Sequence, residues 1–287
     1  MARTLTSNTE YNRAERDLLC RLVFLFVFGS LLYDYYAHTM LHQLQRPVLR
    51  YPYVDLTYWL MHLLQLPELI TGHIVVAGIV DSVLIITALL GVIAPAWRWN
   101  MILFLLLYLL YFIAFNSFGT HHTSHKVGIL VIAIPFVVKD IRSFNYLWQA
   151  LRYFGLFVFS SAFLWKLLRF GWLQPDQGLL IMRKNLAAFL YYQKHSVAAG
   201  LYRFVLSHPF IANGLYIAGM LLEGIFLVGF FTKRYDRVLF FASFVLVLGF
   251  SFTADANFTE LLMLSLTLVN FHPLFRYLGV KRSAGAS

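Results

Sequence analysis

Apolar residues fall into eight runs separated by polar stretches, at about 18–36, 70–94, 100–117, 124–138, 147–166, 211–231, 236–253 and 258–272. Crossing a bilayer takes about 20 mostly apolar residues in a helix, so these runs predict eight membrane helices. The fourth and eighth are short, and flanking polar residues buried in the bundle are expected to complete them. The connections 37–69 and 167–210 are amphipathic enough to hold short helices on the membrane surface. The first sixteen residues, MARTLTSNTEYNRAER, are polar, and the apolar run after them is not followed by an A-x-A-like cleavage site. This predicts a retained first helix and not a signal peptide. No internal repeat, low-complexity linker or soluble domain interrupts the pattern. The expectation is one domain over 1–287, with a polar N-terminus at 1–17 and a short tail at 276–287. The fold class is all-α, a polytopic transmembrane helical bundle.

Composition agrees. Hydrophobic residues make up 60% of the chain and charged residues only 13%, about half the share in a soluble domain. The 28 Phe and 17 Tyr suit lipid-facing and interfacial positions. A formal charge of +10 could suggest nucleic acid, but the basic residues lie between apolar runs, where they anchor to anionic lipid and set topology. The lipid bilayer is therefore the expected partner, with no nucleic acid. The single cysteine, Cys20, excludes an internal disulfide and a CxxC redox pair.

With the N-terminus in the cytoplasm, the inner segments carry Arg3, Arg13, Arg16, Arg21, Arg98, Lys139 and Arg142, then Lys233, Arg234, Arg237, Arg276, Lys281 and Arg282. The short outer loops carry only Arg46, Arg50 and Lys126. The positive-inside rule then predicts eight spans, N-in and C-in, in a multi-pass protein of a bacterial inner (plasma) membrane. On this topology His38, His42, His121, His122, His125, Lys166 and Asp255 fall towards the outer face.

Charges at membrane depth cost about 2.5–3.5 kcal/mol on insertion scales and mark candidate sites. Lys166 ends the fifth run beside Trp165, with Trp172 and Gly178 beyond it. The plain reading is a lysine snorkelling to the headgroups. The functional reading is a desolvated general base, with Trp165 and Trp172 against it. Glu223 lies deep in the sixth run, as a helix-tying carboxyl or a lysine's partner and proton relay. Asp81, in the middle of the second run, allows the same two readings. Asp34 lies nearer a helix end and reads as interfacial. The run His121-His122-Thr123-Ser124-His125 and the pair His38/His42 carry HxxxH spacings, which place two imidazoles on one helix face. They read as interfacial histidines, as hydrogen-bond donors in a pocket, or as metal ligands, His38, His42, His121 and His125 among them. Asp255 and Asn257 read as helix caps or as the edge of a pocket.

The segment FSSAFLWKLLRFGWLQPDQG, then MLLEGIFLVGFF, then TKRYDR and two apolar runs, resembles the HTTM (horizontally transferred transmembrane) family. That family is related to the membrane part of vitamin K-dependent γ-glutamyl carboxylase. Phe159, Ala162, Lys166, Leu167, Trp172 and Gly178 stand where the family has its aromatic-small run, Lys-Leu, Trp and Gly. Glu223 matches an acidic residue on the next helix, and His125, with His122 second, matches a histidine before the fourth helix. The resemblance implies Lys166 as the base that deprotonates vitamin K hydroquinone. Oxygenation by O2 then yields a base strong enough to take a glutamate γ-proton, and CO2 adds.

Three function classes follow. The first is a membrane enzyme whose outward-opening pocket binds a quinone or lipid-like ligand, with Lys166 as base, His125 or His122 orienting and Glu223 supporting; a secreted peptide would be its substrate. The second is a histidine-ligated metal oxidase. The third is a non-enzymatic partner in peptide maturation or immunity, or a transporter coupled to protons through Asp81 and Glu223.

Overall fold

The computed structural model describes residues 10–44, 59, 62–118, 126–254 and 258–278, and among these the regular structure is helical, with no strand. Six helical stretches are long and apolar enough to cross a membrane by length and composition. The regular structure of the described residues is therefore all-helical, compatible with a multi-pass, bilayer-embedded bundle. Two of the expected runs form shorter helices, Val127–Val137 and Thr259–Leu268. The first of these is tightened by Pro135, which cannot donate to an α-helical ladder and falls in a 3-10 turn at Ile134–Val137.

Contacts divide the chain into two compact units. One comprises Met1–His121, Ile129–Trp148 and Asn270–Ser287; the other comprises His122–Gly128 and Gln149–Val269.

In the first unit, α1 (Arg13–Tyr36) starts five residues before the apolar run does, because Asn12 and Glu15 form a capping box that closes the first turn. It is followed by α2 (Leu66–Gly72), α3 (Ile74–Ile93), α4 (Arg98–Phe118) and α5 (Val127–Ala133, from Ile129 on). Helix α1 packs along α3. Gly91 of α3 leaves the place of its missing Cβ to the Phe24 ring, which also meets Phe104 edge-on at 5.0 Å. Along α4, Phe104, Tyr108, Tyr111 and Phe115 recur at helical spacing as a buried aromatic column with neighbouring centroids 5.5–6.0 Å apart. Many aromatics thus fill the core and do not only face lipid.

The same unit buries polar groups at the start of α1. Glu15, 1% exposed, is met by His272 Nδ1 at 2.9 Å, and Arg16 donates to the Phe136 carbonyl at 3.0 Å. Tyr11 exchanges backbone–side-chain hydrogen bonds with Asn145, and its ring lies 4.9 Å from that of His272.

In the second unit, α6 (Ile141–Leu168, from Gln149 on) is followed by α7 (Gln177–Tyr192), α8 (Val197–Leu206), α9 (Pro209–Gly224), α10 (Asp236–Ala254) and α11 (Thr259–Ser265). The 167–210 connection thus holds two helices, as its amphipathic pattern predicts. Helix α7 lies against α9 at Gly178, where a Cβ would come within 2.5 Å of the Ala212 carbonyl oxygen. Asn213 of α9 caps the start of α7, accepting from the Gly178 backbone N–H at 2.8 Å.

The far end of this unit is tied by Arg152, a 2% exposed side chain on α6. Its guanidinium grips Asp236 through two bonds of 2.8 and 2.6 Å and donates to the Gly229 and Thr232 carbonyls at 2.9 and 3.3 Å. This fixes the turn between α9 and α10. Removing one partner of a buried pair strands the other's charge and costs about 3–5 kcal/mol. Asp236→Ala is therefore expected to lower the melting temperature in detergent sharply. The double variant Arg152→Met/Asp236→Leu is expected to recover much of the loss, and a double variant no more stable than the single would refute this account.

Tyr11 supplies a pH dependence outside the apolar helices. Burial pushes its phenol up from 10.0 to about 12; the Phe271 backbone hydrogen bond opposes this and the Glu15 charge adds to it. A neutral acid with a raised pKa favours the fold below its unfolded pKa, and that contribution is lost as pH rises through the folded value. Stability is expected to fall between pH 10 and 12 with a slope that Tyr11→Phe flattens, read by denaturant titration at each pH.

Candidate functional site

The second unit brings Lys166 and Glu223 together, and the reason is local. Gly224 of α9 faces Phe163 of α6, and a Cβ there would sit 3.1 Å from the ring. Two residues further along, Phe226 stacks on Phe159 with centroids 4.4 Å apart. This close crossing holds Lys166, about one turn beyond Phe163, opposite Glu223. Lys166 Nζ donates to Glu223 Oε1 at 2.5 Å. The Glu223 side chain is 1% exposed and that of Lys166 is 28% exposed. Glu223 is the next-to-last residue of α9, where the α-helix tightens into a 3-10 turn at Ile225–Phe230, as is common at helix C-termini.

Lys166 also lines a cavity of about 350 Å³ whose other walls come from α7, α9 and α10, within the range typical of small-molecule pockets. Its lining is mostly apolar, including Leu215, Leu222, Val245 and Phe250, and the Lys166 ammonium lies 5.8 Å from the Phe250 ring centroid. Tyr216 and Thr253 add hydroxyls. Tyr216, Gly219 and Glu223 follow at spacings of three and four on α9, and so share one face. Glu223 itself stands behind the lysine and does not line the cavity.

Trp165 and Trp172 are 57% and 38% exposed and do not line the cavity. Trp165 carries the Arg169 guanidinium 4.2 Å from its ring centroid, and Trp172 Nε1 donates to the Leu167 carbonyl at 3.4 Å. Leu167 is itself exposed, while Gly178 serves the helix contact described above.

Asp81 belongs to the first unit and organises a turn. Its carboxylate accepts from the Leu41 and His42 backbone N–H groups at 3.2 and 2.9 Å and from His42 Nδ1 at 2.6 Å. This pins the 3-10 turn Leu41–Gln43 to the middle of α3. Asp34, also buried, accepts from the Tyr111 hydroxyl at 3.2 Å. His38 is exposed, with a left-handed backbone (φ 57°) just past α1. Among the described residues no three His, Cys, Asp or Glu side chains are grouped to hold a metal ion. His121, His122, His125, Asp255 and Asn257 lie outside the described residues.

Sequence reasoning did not anticipate Tyr216, Gly219, Gly249 and Asn213. Arg152 was open to the same reasoning as Glu223, since it is a charge inside an apolar run. No protein-family model, curated protein or solved structure matches this chain.

The pair's energetics are asymmetric. Loss of the lysine leaves a carboxylate sealed in apolar surroundings, whereas loss of the glutamate leaves an ammonium with some access to solvent or headgroups. Lys166→Met is therefore expected to cost about 3–5 kcal/mol, Glu223→Met less, and the double variant less than Lys166→Met alone. Unfolding in graded denaturing detergent reads all three, and equal costs for the two single variants would contradict the asymmetry.

Proposed function

We propose that the protein is an HTTM-like membrane enzyme that binds a quinone or similar lipid-like molecule in the Lys166 cavity. The observation that carries the reading is the Lys166–Glu223 pair set in the wall of an otherwise apolar cavity of about 350 Å³. A quinone ring suits such a site, because its apolar faces match the aliphatic and aromatic lining and one of its oxygens matches the ammonium. When bound as the hydroquinone, with O2 and CO2, such a group supplies the oxidative chemistry that drives carboxylation.

The chain's own contribution is to move a proton. Lys166 Nζ passes one proton to Glu223 Oε1 and accepts another from the ligand hydroxyl. The ligand oxyanion then faces an ammonium, and Glu223, now neutral, no longer competes for it. The apolar walls exclude water and strengthen that contact. His125, with His122 second, orients the ligand in this reading, and a secreted peptide glutamate is the carboxyl acceptor. The topology that goes with it is eight segments, two of them short, with both termini cytoplasmic in a bacterial inner membrane.

Mass spectrometry of small molecules co-purified with the wild type and with Lys166→Ala tests the proposal. A quinone or other apolar molecule should be retained by the wild type and lost or reduced at least tenfold in the variant. A folded Lys166→Ala protein that retains the same molecule at the same level would overturn the role given to Lys166. If only bulk lipid accompanied either protein, the reading would shift to a non-enzymatic membrane partner.

A further inference from the structure

We infer that the Lys166 cavity selects a neutral, largely apolar molecule that brings a hydrogen-bond-accepting oxygen to Lys166, and that Gly219 and Gly249 set the size it admits. The inference rests on the reading of this cavity as a ligand site.

The first argument is charge. Lys166 and Glu223 lie 2.5 Å apart, so their charges cancel. Among the described residues Glu223 is the one hydrogen-bond partner of Nζ, which leaves two of the ammonium's three N–H groups. An anionic head placed against this pair would leave the site with an unbalanced negative charge among apolar walls, at a large desolvation cost. A neutral carbonyl or ether oxygen takes the spare N–H without that imbalance. Thr253 adds no donor, because its one O–H is already spent. Thr253 Oγ1 donates to the Gly249 carbonyl of its own helix at 2.8 Å.

The second argument is space. Gly178 and Gly224 lack a Cβ because neighbours occupy its place. Gly219 on α9 and Gly249 on α10 differ. Both line the cavity, and a Cβ built at either meets nothing within 4 Å. The room in front of them is volume that a side chain would fill, so these two positions determine what body enters.

The test is native mass spectrometry of the full chain in detergent, offered 2-dodecanone, dodecanoate or dodecane at equal concentration. These probes share a chain length and differ in having a neutral acceptor, an anionic head or no head. The wild type should bind the ketone about tenfold or more tightly than either of the others. Gly219→Leu/Gly249→Leu should reduce ketone binding at least tenfold with an unchanged melting temperature, and Gly219→Ala/Gly249→Ala should give a smaller loss in the same direction. Dodecanoate bound as tightly as the ketone, or ketone binding unmoved in both glycine variants, would overturn the inference and leave a ligand site of other specificity. If the wild type retains none of the probes above the micelle background, the ligand-site reading falls and takes the inference with it.

Discussion

An ionised side chain inside an apolar helix must find its counterpart within the protein, because nothing in hydrocarbon can solvate it. Four buried charges dictate much of the local structure in the two units. Glu15 is met by His272, Asp81 by two backbone N–H groups and His42, Arg152 by Asp236, and Glu223 by Lys166. In each case the partner lies far along the chain, so meeting the charge fixes a fold-level contact. Asp81 does this for the turn after α1, and Arg152 does it for the turn before α10. Burial of these groups is weak evidence for stability as such, since an apolar pair of like volume is often as stable. What they specify is which helix meets which, and at what height.

Among the four, the Lys166–Glu223 pair differs in its surroundings. The Asp81 and Arg152 groups are each held by three or more bonds, and both have backbone partners. Glu223 is held by one bond to a lysine that also borders an apolar cavity, and its Oε2, like Arg152 Nη1, has no hydrogen-bond partner among the described residues. A carboxylate with an unmet oxygen and a lysine with spare donors together form an incompletely satisfied polar site. Such sites are rare in protein interiors and concentrate where a ligand or a proton is handled. Their placement also depends on glycine. Gly224 admits the Phe163 ring, and Gly219, on the face leading to Glu223, leaves the cavity open.

Much of this fold could be read from the order of apolar runs, because a run of that length has few stable conformations other than a helix. Boundaries moved where side-chain chemistry overrode hydropathy. The capping box at Asn12 and Glu15 drew a polar turn into α1, and Pro135 turned the end of the fourth run into a 3-10 turn. Of the site, the types and depths of Lys166 and Glu223 were legible, since charge in an apolar run is visible without coordinates. That they face each other was not, because it depends on a glycine–phenylalanine crossing between distant segments. Trp165 and Trp172 were plausible neighbours of Lys166 in sequence, yet helical phase turns Trp165 to the surface. Asn213 and Tyr216 gave no signal, because single polar residues in an apolar helix are common. The cavity depends on side chains that are missing, and hydropathy does not register an absence.

The neutrality of the pair also bears on what the site can do with a proton. A lone buried lysine would bind an anion tightly and hold it, which opposes turnover and selects for charge over shape. With Glu223 behind it, Lys166 presents donors without net charge, so on the proposed reading an incoming ligand would be selected by its apolar body and one oxygen. If that ligand then loses a proton to the pair, the new oxyanion meets an ammonium whose former counter-ion has been neutralised by the proton passed back to it. Interaction with the site therefore strengthens only as the charge develops, which is the condition for a group to favour a reaction step over the bound ground state. On the proposed reading, the Lys166–Glu223 hydrogen bond beside this cavity would provide it.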